Sequence, residues 1–327
     1  MASISRIVAA AAAAALAATF VFNTAMAKDY RLGTIVPPSH QWSKAAEAMG
    51  KMLSEASGGA DTVTVFPAGQ LGNESQMVQQ LQTGALDMAF LTIADVSNRI
   101  PEFGALYAPF LVTNSEDAAT LLRGPTAQEM LTKLPGEMGV VGVGYGLASM
   151  RQMMSTKPVE KWSDLQGAKM RITPFKPFKD FYSILGVAPT PMPLPDVYDA
   201  LANGQVDAID IDVELITNFK FYDRADHLLL TNHSMFPMVG LVSGKVWAGL
   251  SDDEKAIVSE SMKKALDQTM KFYAEAEPQM IKKIEATGIE VKQVDRTFFP
   301  SVVEKWEDMW SDQKSSIDAL RSEAAAL

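Results

Sequence analysis

Cysteine is absent from the 327-residue chain. Disulfides, thiol chemistry and lipid attachment through an N-terminal cysteine are therefore excluded. Histidine occurs only at positions 40, 227 and 233. No H-E-x-x-H, no G-x-S-x-G elbow and no P-loop is present, so no catalytic constellation, metal site or cofactor motif is visible. The glycine-rich run Gly139-Val-Val-Gly-Val-Gly-Tyr-Gly146 lacks the third glycine and the following helix of a dinucleotide fingerprint. Basic charge is also scarce: the formal net charge is −10 with no basic cluster, which argues against a nucleic-acid partner. Long apolar runs are missing except for Ile7 to Phe22, about 16 residues and short for a membrane span. Arg6 precedes that run and Ala25-Met-Ala27 follows it. This is the order of a signal peptide, so residues 1–27 are read as a leader cleaved after Ala27. Loss of Arg6 with the leader leaves 28 Lys+Arg against 39 Asp+Glu, a balance of −11.

The remaining length allows two domains. Tyr30 to Val36 reads as a strand stopped by Pro37-Pro38. Ser39 is placed to cap a helix carrying Trp42, Ala45, Ala46, Met49, Met52 and Leu53, closed by Gly58-Gly59. Thr62 to Phe66 reads as a strand, Met77, Val78 and Leu81 lie on a helix ended by Gly84, and Asp87 to Leu91 reads as a third strand. Such alternation predicts a mostly parallel, helix-covered α/β sheet. Leu81-Gln-Thr-Gly84-Ala-Leu-Asp87 recurs as Leu201-Ala-Asn-Gly204-Gln-Val-Asp207, 120 residues on. Each copy places a helix end, a glycine cap and an aspartate opening a strand, which is compatible with two similar lobes. Ligands in such sheets gather beyond the carboxyl ends of the strands, which points to Leu91–Ala94 and Asp210–Glu214 at a shared cleft. Ser251-Asp-Asp-Glu254 is a capping box. The apolar stripe after it runs to Ile284 past Pro278, a helix of about 36 residues and about 54 Å. It is expected to cross both lobes and kink near the proline. A last charged helix is expected over Val302 to Leu320.

Trp162 to Leu215 carries the densest chemistry. Lys169-Met-Arg-Ile-Thr reads as a short strand before Pro174, and Arg171 at its end offers a planar fork suited to a carboxylate. Ala188-Pro-Thr-Pro-Met-Pro-Leu-Pro195 reads as a stiff extended connector. Ile209, Ile211, Val213 and Leu215 alternate with Asp210, Asp212 and Glu214, which predicts one strand with three carboxylates about 7 Å apart on one face. Those carboxylates need compensation from water, arginines or a ligand. A solvated face, a D-x-D-x-E calcium site lacking the EF-hand loop, and ligand contact through Asp210 and Asp212 all remain open. His40 and Trp42 fall where a cleft lip is expected, although Trp42 suits a core equally well. Phe236 either lines the pocket or packs.

The motifs Phe66-Pro-Ala-Gly-Gln-Leu-Gly72, Leu86-Asp-Met88, Pro101-Glu-Phe, Pro109-Phe110, Leu165-Gln-Gly167 with Met170-Arg-Ile172, Pro189-Thr-Pro-Met192, Val197-Tyr198 and Asn203-Gly-Gln-Val-Asp207 together resemble the substrate-binding subunit of TRAP transporters. This is the family typified by periplasmic C4-dicarboxylate binders. The resemblance covers nearly all of the mature chain. It implies a periplasmic-binding-protein-like clamp: two α/β lobes around mixed sheets, joined by a hinge and a long kinked helix. The lobes are expected at 28–148 plus 237–276 and at 149–236 plus 277–327. It implies capture of a small organic anion without catalysis or cofactor, and delivery to the small and large membrane permease subunits. On the family pattern Arg171 pairs with the ligand carboxylate, Arg151 supplies a second arginine, and Glu74, Thr92 and Leu194 match contact positions. Many members carry V-D-G-Q-E-N-P where this chain has Val206-Asp-Ala-Ile-Asp-Ile-Asp212, so Ile211 stands for a ligand-contacting asparagine and Asp212 for the proline. That departure, with the extra acids, points to a hydroxy or sugar acid rather than a plain dicarboxylate. A binding protein of an ATP-driven importer shares the clamp logic, and a periplasmic enzyme acting on a small polar acid is the rival class.

Overall fold

The computed structural model describes residues 27–299 and 301–327. The expected leader, apart from Ala27, lies outside the described residues. Among these, eleven strands run in chain order: β1 Asp29–Thr34, β2 Thr62–Phe66, β3 Met88–Thr92, β4 Val140–Ala148, β5 Gln152–Ser155, β6 Lys169–Ile172, β7 Ala188–Pro191, β8 Ala208–Ile211, β9 His227–Leu230, β10 Phe236–Ser243 and β11 Glu290–Gln293. They form two sheets, ordered β2-β1-β3-β10-β4 and β11-β9-β5-β8-β6-β7. The sheets are mixed rather than mostly parallel. In the first, β10 runs antiparallel to β3 and β4; in the second, β5 runs antiparallel to β8 and β9. These strands lie at two of the three places where the chain passes between the sheets, β4 to β5 and β9 to β10; the third runs from β10 to β11. The passing segments are tied by Arg151 N donating to the carbonyl of Ser234 at 2.8 Å.

The repeated L-x-x-G-x-x-D segment has one structural meaning in both sheets. Gly84 and Gly204 take left-handed φ values of 79° and 66°, which glycine adopts without a Cβ clash. Three residues on, the Asp87 carboxylate accepts the backbone N–H of Arg31 in parallel β1 at 2.8 Å. The Asp207 carboxylate likewise accepts that of Lys169 in parallel β6 at 2.9 Å. Each aspartate thus fastens the start of its strand to the parallel neighbour.

The long helix Asp252–Glu285 has 34 residues, opens with the Ser251–Glu254 capping box and contains Pro278. At 1.5 Å per residue it is about 51 Å long. It packs on the helix Gln41–Ala56 and β4, beside the first sheet, and on the helix Val213–Phe219, which follows β8 of the second. The glycine run in β4 serves this packing. A Cβ on Gly146 would stand 2.7 Å from Thr269 Oγ1. On β10, a Cβ on Gly240 would stand 2.7 Å from Met262 Sδ. Only bare backbone admits the helix that closely.

Several local expectations are corrected. The strand through Asp210 ends at Ile211, because Asp212 caps the helix Val213–Phe219 by accepting Leu215 N at 2.9 Å; a cap ends the period-2 pattern. Asp212 and Glu214 therefore leave the strand face. The first helix is capped by His40 rather than Ser39, through Nδ1 accepting Trp42 N at 3.1 Å. The proline-rich connector includes β7, an edge strand beside β6, where Pro189 and Pro191 cost no ladder bond that the sheet interior needs. The terminal helix is two, Val302–Met309 and Lys314–Ala324. The break lets Trp310 stack on Trp306 at 4.9 Å and donate Nε1–H to Asp180 at 2.9 Å.

Asp87→Ala and Asp207→Ala should each lower unfolding free energy by about 1.5–3 kcal/mol, the usual worth of a hydrogen bond to a charged group. Because the two sit in different sheets, the double variant should be additive in a urea titration. An unchanged midpoint in either single variant would show that its carboxylate fastens nothing.

Candidate functional site

A cleft of about 720 Å³ opens beyond the carboxyl ends of parallel strands from both sheets. Thr92 at the end of β3 and Ile35 and Val36 after β1 come from one side. Arg171 and Thr173 at the end of β6 and Asp212 after β8 come from the other. This is where open α/β sheets place ligands, since connecting loops there are not consumed by sheet pairing. Nine of the eleven expected site residues line it: Arg171, Arg151, Glu74, Thr92, Asp212, Leu194, His40, Trp42 and Phe236. Asp210 and Ile211 do not; both are wholly buried in β8.

The two arginines stand in opposite circumstances. Arg151 is 1% exposed. Its Nε donates to Asp210 Oδ1 at 2.6 Å, its Nη1 to Asp212 Oδ2 at 3.2 Å, and its Nη2 to the Asp210 carbonyl at 2.6 Å. Nη2 also pairs with Asp210 Oδ1. Four of the five N–H groups of a guanidinium are thereby engaged, leaving one. The plane lies 4.3 Å from the Phe236 ring centre, a cation–π contact. Asp210 uses its second oxygen as well, accepting Tyr182 Oη–H at 2.7 Å and lying 3.0 Å from His233 Nε2. Burial pushes the Asp210 carboxyl up, but Arg151, His233 and Tyr182 outweigh it and hold the group below the ordinary carboxylate range. For Asp212 burial wins over Arg151 and the Leu215 N–H, and the carboxyl lies above that range.

Arg171 is 2% exposed and bonds only carbonyls. Nε and Nη2 donate to Met192 O at 3.1 and 2.9 Å, and Nη1 to Asp210 O at 3.1 Å. Two N–H groups remain for a partner. Burial, then the neighbouring Arg151, lowers its pKa to about 9. The cleft thus holds a cation with no carboxylate bonded to it, and an anion placed there supplies one.

On the facing wall, Glu74 accepts Thr92 N at 2.6 Å and Thr92 Oγ1–H at 3.0 Å. Burial raises it to about 7 against those bonds. His40 is 1% exposed, and its Nδ1 accepts a backbone N–H, so its proton sits on Nε2, 3.2 Å from Glu214 Oε2. Burial, then Lys44, lowers it to about 3, so the ring is neutral. Glu214 joins the two sides: it accepts Gln41 N at 2.9 Å and the Tyr273 hydroxyl. Burial raises it to about 7. Glu277, accepting Ser115 Oγ–H and Met150 N, is raised to about 7 by burial too. Trp42 both packs and lines the cleft, with Nε1–H donated to Leu147 O at 2.9 Å.

Sequence reasoning missed Tyr182 and His233, the partners of Asp210. Tyr182 hides in the apolar stripe of the helix Lys176–Ile184, and His233 sits in an irregular segment between strands. It also missed the wall residues Asn73, Asp95 and Asn98. Asn73 had a readable signal, because Asn73 and Gln76 form a capping box.

A family model for bacterial extracellular solute-binding proteins, family 7, matches residues 32–315. The 2,3-diketo-L-gulonate-binding periplasmic protein YiaO of Escherichia coli is 25% identical over 284 residues, 86% of this chain and 86% of that protein. A TRAP periplasmic solute binding protein from Bradyrhizobium, in complex with galacturonate, is 31% identical with a TM-score of 0.84, covering 90% of this chain and 99% of its own. The sugar acid binding protein DctPAm of Advenella mimigardefordensis, in complex with galactonate, is 25% identical with a TM-score of 0.84, covering 91% and 98%.

The buried carboxyls of Glu214 and Glu277 set a pH dependence. Each holds its proton more tightly folded than unfolded, so the folded state is favoured at low pH and loses stability as pH rises from about 4.5 through about 7. The ligand-free protein should therefore melt lower at pH 8 than at pH 5.5. Glu277→Gln should remove on the order of 1–3 kcal/mol of that fall. A melting curve that rises over this range, or an unaltered slope in the variant, would contradict the assignment.

Proposed function

The chain belongs to family 7 of the bacterial extracellular solute-binding proteins, those of TRAP transporters, and from that premise we propose that it captures a hydroxylated organic acid with Arg171 as the carboxylate anchor. The observation that carries this reading is the state of Arg171: buried, bonded only to carbonyls, with two donors left over inside the cleft. A carboxylate accepting both donors forms a bidentate, charge-assisted pair. Arg151 has one spare N–H and otherwise holds Asp210 and Asp212, so its contribution is to fix the cleft floor and to orient one ligand oxygen. Asn73, Asn98, Thr173, Glu74 and Asp95 in the wall suit hydroxyl groups. Sugar acids are the ligands named for the relatives above, which accords with that wall.

The mechanism is capture without turnover. The lobes, 28–148 plus 237–276 and 149–236 plus 277–327, close over the acid because it binds the closed arrangement better than the open one. Glu74, Thr92, Asp212, Leu194, His40, Trp42 and Phe236 form the enclosing wall, and Asp210 acts through Arg151. The loaded protein is handed to the small and large permease subunits in the periplasm, after export and cleavage following Ala27. No cofactor takes part.

The two arginines are separable by experiment. Arg171→Ala should cost at least 100-fold in affinity for the aldonate or uronate giving the largest thermal shift, while lowering the stability of the empty protein by only about 1–3 kcal/mol, since it orphans carbonyls and no directly paired carboxylate. Arg151→Ala should instead lower stability by about 3–5 kcal/mol, because Asp210 and Asp212 are left buried and unpaired. Calorimetric titration and urea unfolding of both variants check this. Near-wild-type affinity in Arg171→Ala would place the anchor elsewhere.

A further inference from the structure

Resting on the carboxylate-binding reading of the cleft, we infer that this site takes one carboxylate only: its ligands are hydroxylated monocarboxylic acids, and dicarboxylic acids of the same length are rejected by charge. The cleft wall contains two cations, Arg151 and Arg171. Arg151 is paired with both Asp210 and Asp212. Adding His233 beside Asp210, neutral or protonated, gives a cluster with no net positive charge. Arg171 alone is without a carboxylate partner, and its two remaining donors satisfy one carboxylate and no more.

Among the described residues the wall offers no further cation for a second anion. His40 is neutral. Glu74 lines the cleft with its carboxylate held by Thr92. Asp95 lines it too, paired with Arg99 at 3.1 Å, so the two charges cancel. Arg99 also gives Nη2–H to Ser75 at 2.9 Å. Asn98 donates its amide to Pro174 O at 3.0 Å and presents its carbonyl oxygen as an acceptor. Once a ligand carboxylate occupies Arg171, the rest of the molecule meets the Glu74 carboxylate and neutral amide and hydroxyl groups. Ligand hydroxyls bond to these; a second carboxylate meets like charge. Glu74, which has no cation paired with it, is thus the repulsive element that sets specificity, and Arg171 the attractive one.

The test uses pairs that differ only in replacing the terminal CH2OH by a carboxylate: galactonate with galactarate, erythronate with meso-tartrate, glycerate with tartronate. Titration calorimetry at pH 8 keeps Glu74, raised to about 7, and the ligand carboxylates charged. Within each pair that binds, the diacid should be at least 100-fold weaker. The monoamide of the diacid, similar in size but singly charged, should recover most of the loss. Glu74→Gln should narrow the gap at least tenfold. A diacid that binds within threefold of its monoacid partner, with both lost in Arg171→Ala, overturns single-anion selectivity while leaving the anchor standing. A monoamide as weak as the diacid also overturns it, since size rather than charge would then decide. If none of these acids binds, the anchor reading falls and this inference falls with it.

Discussion

The clamp of Arg151 on Asp210 and Asp212 ties together more of the molecule than any other contact. Arg151 lies in the segment that leaves the first sheet for the second, and its backbone N–H bonds the returning segment at Ser234. Its carbonyl accepts the Thr231 hydroxyl at 3.2 Å, and its side chain holds the end of β8 and the cap of the following helix. Asp210 in turn holds Tyr182 and His233. A buried ion pair of this kind is weak evidence for net stability, because desolvation consumes most of the Coulombic gain. Its effect is geometric. With both carboxylates and the guanidinium out of water, any other arrangement leaves a charge unpaired, so the cleft floor has one low-energy form.

That clamp also decides the chemistry of its neighbour. Two carboxylates that repel one another in β8 and its cap are satisfied by one arginine, and none is left within pairing reach of the second. Arg171 donates to two backbone carbonyls, whose dipoles stabilise a cation only in part. The same residue type thus does two jobs a few ångströms apart: one arginine is structural because its carboxylates come from the chain, and the other is receptive because its carboxylate must come from outside. Glu214 and Gln41 link the two sides of the cleft through the N-terminus of the helix Gln41–Ala56. There a carboxylate meets free backbone N–H groups and the positive end of a helix dipole.

Much of this was legible in the sequence where one local rule governed one element. The capping box at Ser251 and the strand Thr62–Phe66 follow from caps, breakers and period. The repeat at Asp87 and Asp207 was legible as a pattern, although its function as a strand fastener needed the paired strand to be seen. Legibility failed where two rules competed. Alternation through Glu214 reads as strand, yet Asp212 is also a good cap, and the cap prevailed. Asp210 looked like a ligand contact because a sequence does not reveal that Arg151, Tyr182 and His233, up to 59 residues away, converge on it. Arg171 was legible through its place at a strand end and through family resemblance, whereas its lack of a carboxylate partner is a tertiary fact.

The most direct measurement is a crystal structure of the mature protein with the acid that stabilises it most. One ligand carboxylate should sit on Nη1 and Nη2 of Arg171, about 2.7–2.9 Å away, with Arg151 still bound to Asp210 and Asp212 and ligand hydroxyls toward Glu74. A carboxylate seated on Arg151, with Asp210 or Asp212 released, would contradict Arg171 as the anchor.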